Sequence, residues 1–179
     1  MEDTLHIIFI WIHILGLVLF LGPQFFLAFA WVPTSRDITD MPIRIRAMRK
    51  ITKRFAWIGG IGLVLLIVAG GYLIGDWRKY YNIPSDTNFF HYYFGSIFVA
   101  KMIVLLVMLV LLGLHTFRTG PRLIDAMEAQ ANGSKTVTDA DVRSLRMQSM
   151  FLSISVLVLT LVIMVGGVML NTTTFSFKS

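Results

Sequence analysis

An all-α integral membrane protein, a bundle of four transmembrane helices, is the fold class this sequence predicts, and three observations predict it. Of the 179 residues, 56% are hydrophobic and only 15% are charged, against about 25% charged in soluble domains. Mean hydropathy is +0.73. Four apolar runs, at about 5–32, 55–75, 92–114 and 150–170, each reach the roughly 20 residues a helix needs to cross a bilayer. The length suits a single transmembrane domain, 1–179.

The first run carries no charge between Leu5 and Val32. Glu2 and Asp3 precede it and no small-residue cleavage site follows it, so it reads as a retained span and not a signal peptide. Gly22-Pro23 predicts a kink inside it. Span two begins near Phe55 and is crowded with glycine; Gly71 and Gly75 form a GxxxG, and Ala56 and Gly60 a small-xxx-small pair, both suited to close helix packing. Between spans two and three, residues 76–90 are rich in Trp and Tyr and contain Pro84, which predicts a loop at the membrane surface. Span three runs from Tyr92 to Leu114 with Lys101 inside it. Beyond it, Pro121 suits a first helical position, and the amphipathic stretch from Arg122 to Ala131 stops at Asn132-Gly133. Thr138 and Asp141 predict a capping box opening a helix that continues into span four. Residues 115–149 therefore read as a cytoplasmic helical hairpin.

Charge sets the expected orientation. Seven basic residues lie between Arg36 and Arg54 and five between Arg118 and Arg146, while the remaining loop and the C-terminal tail hold only Arg78, Lys79 and Lys178. The positive-inside rule then puts both basic loops in the cytoplasm and both termini outside, in a bacterial-type inner (plasma) membrane. Because the basic residues mark the ends of apolar runs, the net charge of +6 is topological, and no nucleic-acid partner is expected. An internal repeat of two hairpins is a further expectation. Phe55–Gly71 aligns without gaps on Phe151–Gly167, with the Gly-Gly pairs coinciding; spans one and three echo each other only in Gly22-Pro23 and Gly120-Pro121.

The absence of cysteine excludes disulfides, thiolate metal sites and iron–sulfur clusters. No phosphate loop, HExxH or buried carboxylate pair appears. The chemistry-bearing residues are the four histidines and Lys101. His6 and His13 are seven residues apart and share a helix face. With spans one and three both running inward, His6 and His91 fall at similar depth near the outer surface. His13 and Lys101 lie about 10 Å deeper, and His115 marks the inner end of span three. Imidazoles on facing helices are how a bundle holds haem b, so His6, His91 and His13 are the candidate metal ligands. A lysine inside an apolar run costs about 2.5–3.5 kcal/mol on insertion scales. Lys101 is thus a candidate partner for a haem propionate, a quinone oxygen or a carboxylate, with snorkelling to the surface as its alternative. The methionines, such as Met102, Met108, Met164 and Met169, are scattered and suit core packing, although copper could still be held by His6 and His91 with a nearby thioether.

The segment LHIIFIWIHILGLVLFLGP, with Gly16 ten residues after His6, resembles the opening helix of the copper-resistance D (CopD) superfamily, which includes the HemJ-type protoporphyrinogen oxidases. RKITKRFAW leading into a glycine-containing helix is similar too. AKMIVLLVMLVLLGLHTFRTGPRL resembles the third helix of that family, with Lys101, His115, Arg118 and Pro121 in the matching places. The likeness covers roughly residues 5–125. Val99 stands where HemJ-type enzymes carry a histidine, Gly22-Pro23-Gln24 where they carry Pro-Arg, and His13 where the family has tryptophan. The resemblance implies a haem b-binding bundle that takes part in membrane electron transfer, with quinone as a possible partner, and cofactor contacts from His6, His13, His91, Lys101 and His115. Three other readings stay open: an accessory subunit of a larger respiratory or photosynthetic complex, copper transport across the inner membrane, and HemJ-type porphyrinogen oxidation.

Overall fold

The computed structural model describes residues 2–134 and 136–178, and every regular element among them is helical, with no strand. Lys135, part of the second basic cluster, lies outside them. Four helices are long and apolar enough to cross a membrane: Thr4–Asp37, Met41–Gly75, Tyr93–Ala131 and Asp139–Asn171. The chain divides into two compact units, Met1–Asp86 and Thr87–Ser179, each built on an antiparallel helical hairpin.

In the first unit, α1 (Glu2–Phe25) continues through a π-helical stretch, Phe26–Trp31, into the single turn α2 (Val32–Thr34). α1 runs on as α-helix through Pro23, and the irregular turn comes just before Pro33. A proline ring inside a helix presses on the carbonyl four residues back and removes an N–H; widening the preceding turn absorbs that clash without ending the helix. The chain reverses through Ser35–Asp37 and re-enters as α3 (Met41–Gly75). Asp40 caps α3 by accepting the Ile43 N–H at 2.9 Å, and Pro42 occupies its first turn. The basic segment before span two is thus helical from Met41. α3 ends at Asp76, and α4 (Trp77–Tyr80) follows with Trp77 buried.

α1 and α3 cross backbone to backbone at Gly16 and Gly62. A Cβ on Gly16 would stand 2.8 Å from the Gly62 carbonyl oxygen, and one on Gly62 would stand 2.7 Å from the Gly16 carbonyl oxygen. The glycine pairs singled out by spacing do not make this seam: a Cβ at Gly60, Gly71 or Gly75 would meet nothing within 4 Å. Spacing shows which small residues share a face, whereas the crossing point depends on where two particular helices touch.

In the second unit, α5 (Tyr93–Leu114) passes through a π-helical stretch, His115–Thr119, into α6 (Gly120–Ala131), again just ahead of a proline, Pro121. α6 ends at Asn132, and Gly133 takes the left-handed conformation that closes it (φ +77°). The predicted capping box is present: Thr138 Oγ1 accepts the Asp141 N–H, and Asp141 Oδ2 accepts the Thr138 N–H at 2.9 Å. It opens α7 (Asp139–Asn171), which packs along both α5 and α6. α8 (Thr173–Ser176) then folds the tail over the start of α5, where the Tyr93 N–H donates to the Lys178 carbonyl and Phe94 stacks on Phe177.

Candidate functional site

One face of α1 carries the polar line of the first unit: His6, Phe9, His13 and Gly16 recur at three- and four-residue intervals, so all four point at α3 and α4. Each meets a different partner. The His6 ring is buried, 6% exposed, and lies flat on Tyr80, with centroids 3.7 Å apart and planes 6° from parallel. Its Nδ1 is 3.4 Å from Asp76 Oδ2. Asp76 closes α3 and Tyr80 lies four residues on, so the helix end and the short helix α4 together present a carboxylate and a phenol ring to the same imidazole. Tyr81 meets Tyr80 edge-on, with centroids 5.0 Å apart. Burial, and then the neighbouring Tyr80 hydroxyl, hold the Tyr81 phenol above the ordinary tyrosine range.

One turn deeper, Phe9 stacks on Tyr72. Another turn on, the His13 imidazole lies against Gly70, where a Cβ would be 3.3 Å from its Cε1. Any larger residue at 70 would push the ring aside. His6 and His13 thus belong to one helix face but to separate sites, about 10 Å apart along the axis.

The second unit holds the other three candidates, well apart. His91 is exposed in the turn ahead of α5; its N–H donates to the Asn88 carbonyl and its ring meets Tyr92 edge-on. Lys101 lies along α7 on a glycine seat: its Cβ and Cγ pass 3.6 and 3.7 Å from where a Gly166 Cβ would stand, and its Nζ lies 3.8 Å from that of Gly167. No carboxylate or hydrogen-bond acceptor among the described residues meets the ammonium. Fourteen residues on, and on the same α5 face, His115 Nε2 is 3.2 Å from Ser153 Oγ on α7. His115 opens the π-helical stretch, a type of irregularity frequent at functional sites. Between them Met108 is almost fully buried at 1% exposure, and Thr160 of α7 turns its hydroxyl back to the Val156 carbonyl.

Asp76, Tyr80 and Ser153 are the polar partners that reading the sequence did not single out. Asp76 carried a signal, as the first acidic residue after the uncharged run Phe55–Gly75; Ser153 carried none. Among the described residues, no group of three or more His, Cys, Asp or Glu side chains lies close enough to hold a metal ion. No family profile matches the chain, and no curated protein or solved structure matches it.

Proposed function

We propose that the protein is a CopD-like inner-membrane haem b protein that takes part in electron transfer, with both basic loops in the cytoplasm and both termini outside. The observation that carries this reading is the His6–Asp76 contact. A ligating histidine characteristically gives its other ring nitrogen to a carboxylate, which fixes the tautomer and raises the basicity of the ligating nitrogen. Asp76 beside Nδ1 supplies that arrangement and would leave Nε2 to hold the iron, while Tyr80 restrains the ring from its face. The first unit would therefore supply one histidine to a haem. His13, a separate site on the same helix face, is the second candidate, and His91 is a further candidate within its own unit. A bound haem b would supply one-electron exchange; the chain's own part is to orient the imidazole, bury it, and hold the proton on Nδ1 toward Asp76. Lys101, whose ammonium meets no carboxylate among the described residues, is assigned to a propionate or a quinone oxygen.

The two units are proposed to be copies of one hairpin. Pro33 and Pro121 each follow a π-helical stretch, and Asp76 and Thr172 each end the long return helix and lead into a single turn. His13 and Lys101 each lie on the first glycine of a Gly-Gly pair. The polar residue on the glycine seat would then be the position at which the copies diverged.

A visible spectrum of the purified protein, oxidised and reduced, tests the haem assignment. A reduced α-band typical of haem b is expected. Its loss in His6→Ala, and its retention in His115→Ala, assign the ligand; a protein without the band removes the proposal.

A further inference from the structure

A groove of about 450 Å³ opens where α6 returns onto α7, and its lining joins two kinds of side chain. Arg143 and Arg146 supply charge; Met147 and Met150 supply apolar surface. All four are exposed. Neither arginine makes an ion pair or hydrogen bond among the described residues. Of the nearby acids, Asp139 also lines the groove and accepts from the Gln130 amide, while Asp141 is held by the backbone and hydroxyl of Thr138. Two arginines against one carboxylate leave the groove with a net positive charge.

The same α7 face continues as an exposed apolar stripe, Met147, Met150, Ile154 and Val158, at three- and four-residue steps. Depth along the helix orders these groups. Taking Met150 as the start of the apolar run, Arg146 stands about 6 Å and Arg143 about 10 Å before it. A bilayer measures roughly 40–45 Å with headgroups and about 30 Å without, which leaves about 5–7 Å of headgroup layer on each side, so Arg146 stands within that layer and Arg143 at its outer edge. Cations at headgroup depth, with an unbroken apolar track leading into the hydrocarbon, match one class of molecule in both charge and shape.

We propose that this groove is a binding site for an anionic phospholipid, with its phosphate on Arg143 and Arg146 and an acyl chain along Met147, Met150 and Ile154. The site depends on the chain's lying in a membrane and is independent of any haem.

The test is made on the full-length protein in phosphatidylcholine bilayers containing trace spin-labelled phosphatidylglycerol or spin-labelled phosphatidylcholine. The fraction of motionally restricted label is read by electron paramagnetic resonance. The wild type is expected to prefer the phosphatidylglycerol label, and the preference should fall about fivefold for each arginine removed in Arg143→Gln/Arg146→Gln. Arg143→Lys/Arg146→Lys should keep most of it, and Arg36→Gln/Arg46→Gln, which removes equal charge elsewhere, should leave it unchanged. Circular dichroism checks that each variant is folded. Equal restriction of the two labels on the wild type overturns the proposal, as does an equal loss in the Arg36/Arg46 variant. Displacement of the label by millimolar inorganic phosphate would make the groove a site for the free ion, and a dimer abolished by Arg143→Gln/Arg146→Gln would give the face to a second copy; either result also overturns it.

Discussion

At the scale of single residues, His6 shows how a neighbour makes an imidazole specific. Alone on an apolar helix it is a weak signal; Asp76 at Nδ1 and Tyr80 on its face give it a carboxylate partner and a fixed ring plane. Asp76→Asn keeps the shape and removes the charge, so under the proposed haem assignment haemin affinity is expected to fall about 10- to 100-fold, measured by titrating the protein with haemin. A wild-type affinity in that variant would show that Asp76 does not support the ligand. Tyr81 supplies a pH test. Its folded-state pKa is raised, first by burial and then by Tyr80. Its contribution to stability is therefore complete below the unfolded tyrosine value of about 10 and is lost as pH rises through the higher folded value. Melting temperatures in detergent should accordingly fall above about pH 10, and Tyr81→Phe should lose less over the same range. Parallel pH curves for the two proteins would rule this out.

At the scale of elements, the helix ends follow local rules and the helix contacts do not. The box at Thr138 and Asp141, the stop at Gly133 and the opening at Pro121 are all legible because each depends on residues within one turn. The crossing of α1 on α3 is another matter. Gly16 and Gly62 touch through backbone atoms, so a methyl has nowhere to go, whereas Gly60 faces open space. Gly62→Ala should destabilise the protein by roughly 1–3 kcal/mol, while Gly60→Ala should be neutral or slightly stabilising through its better helix propensity. Thermal unfolding in detergent followed by circular dichroism distinguishes them, and equal effects would place the crossing elsewhere.

At the scale of the whole molecule, four long apolar helices carry the basic residues at alternate ends. The chain contains no cysteine, so single substitutions make clean probes of sidedness. Ser85→Cys, between the second and third spans, is expected to react with a membrane-impermeant maleimide on intact cells. Thr136→Cys, between the third and fourth, should react only after the cells are opened. The reverse pattern would invert the orientation and move His6 and Asp76 to the cytoplasmic side.

The sequence by itself determined the four apolar helices, the cap at Thr138, the stop at Gly133 and a short list of ionisable residues in or beside the apolar runs, while the start of α3 at Met41 under the Asp40 cap came only from the structure. These depend on composition and on neighbours within a turn, and both are written along the chain. The tertiary structure alone decided what those residues meet. Asp76 reaches His6 across seventy residues, Gly70 makes room for His13, and Gly166 and Gly167 seat Lys101. Such pairings depend on the rotation and crossing point of two helices. In an apolar span many rotations bury similar surface, so hydrophobic periodicity leaves them nearly equal. Close contacts between glycine backbones and rings select one of them, and no single segment contains both sides of such a contact.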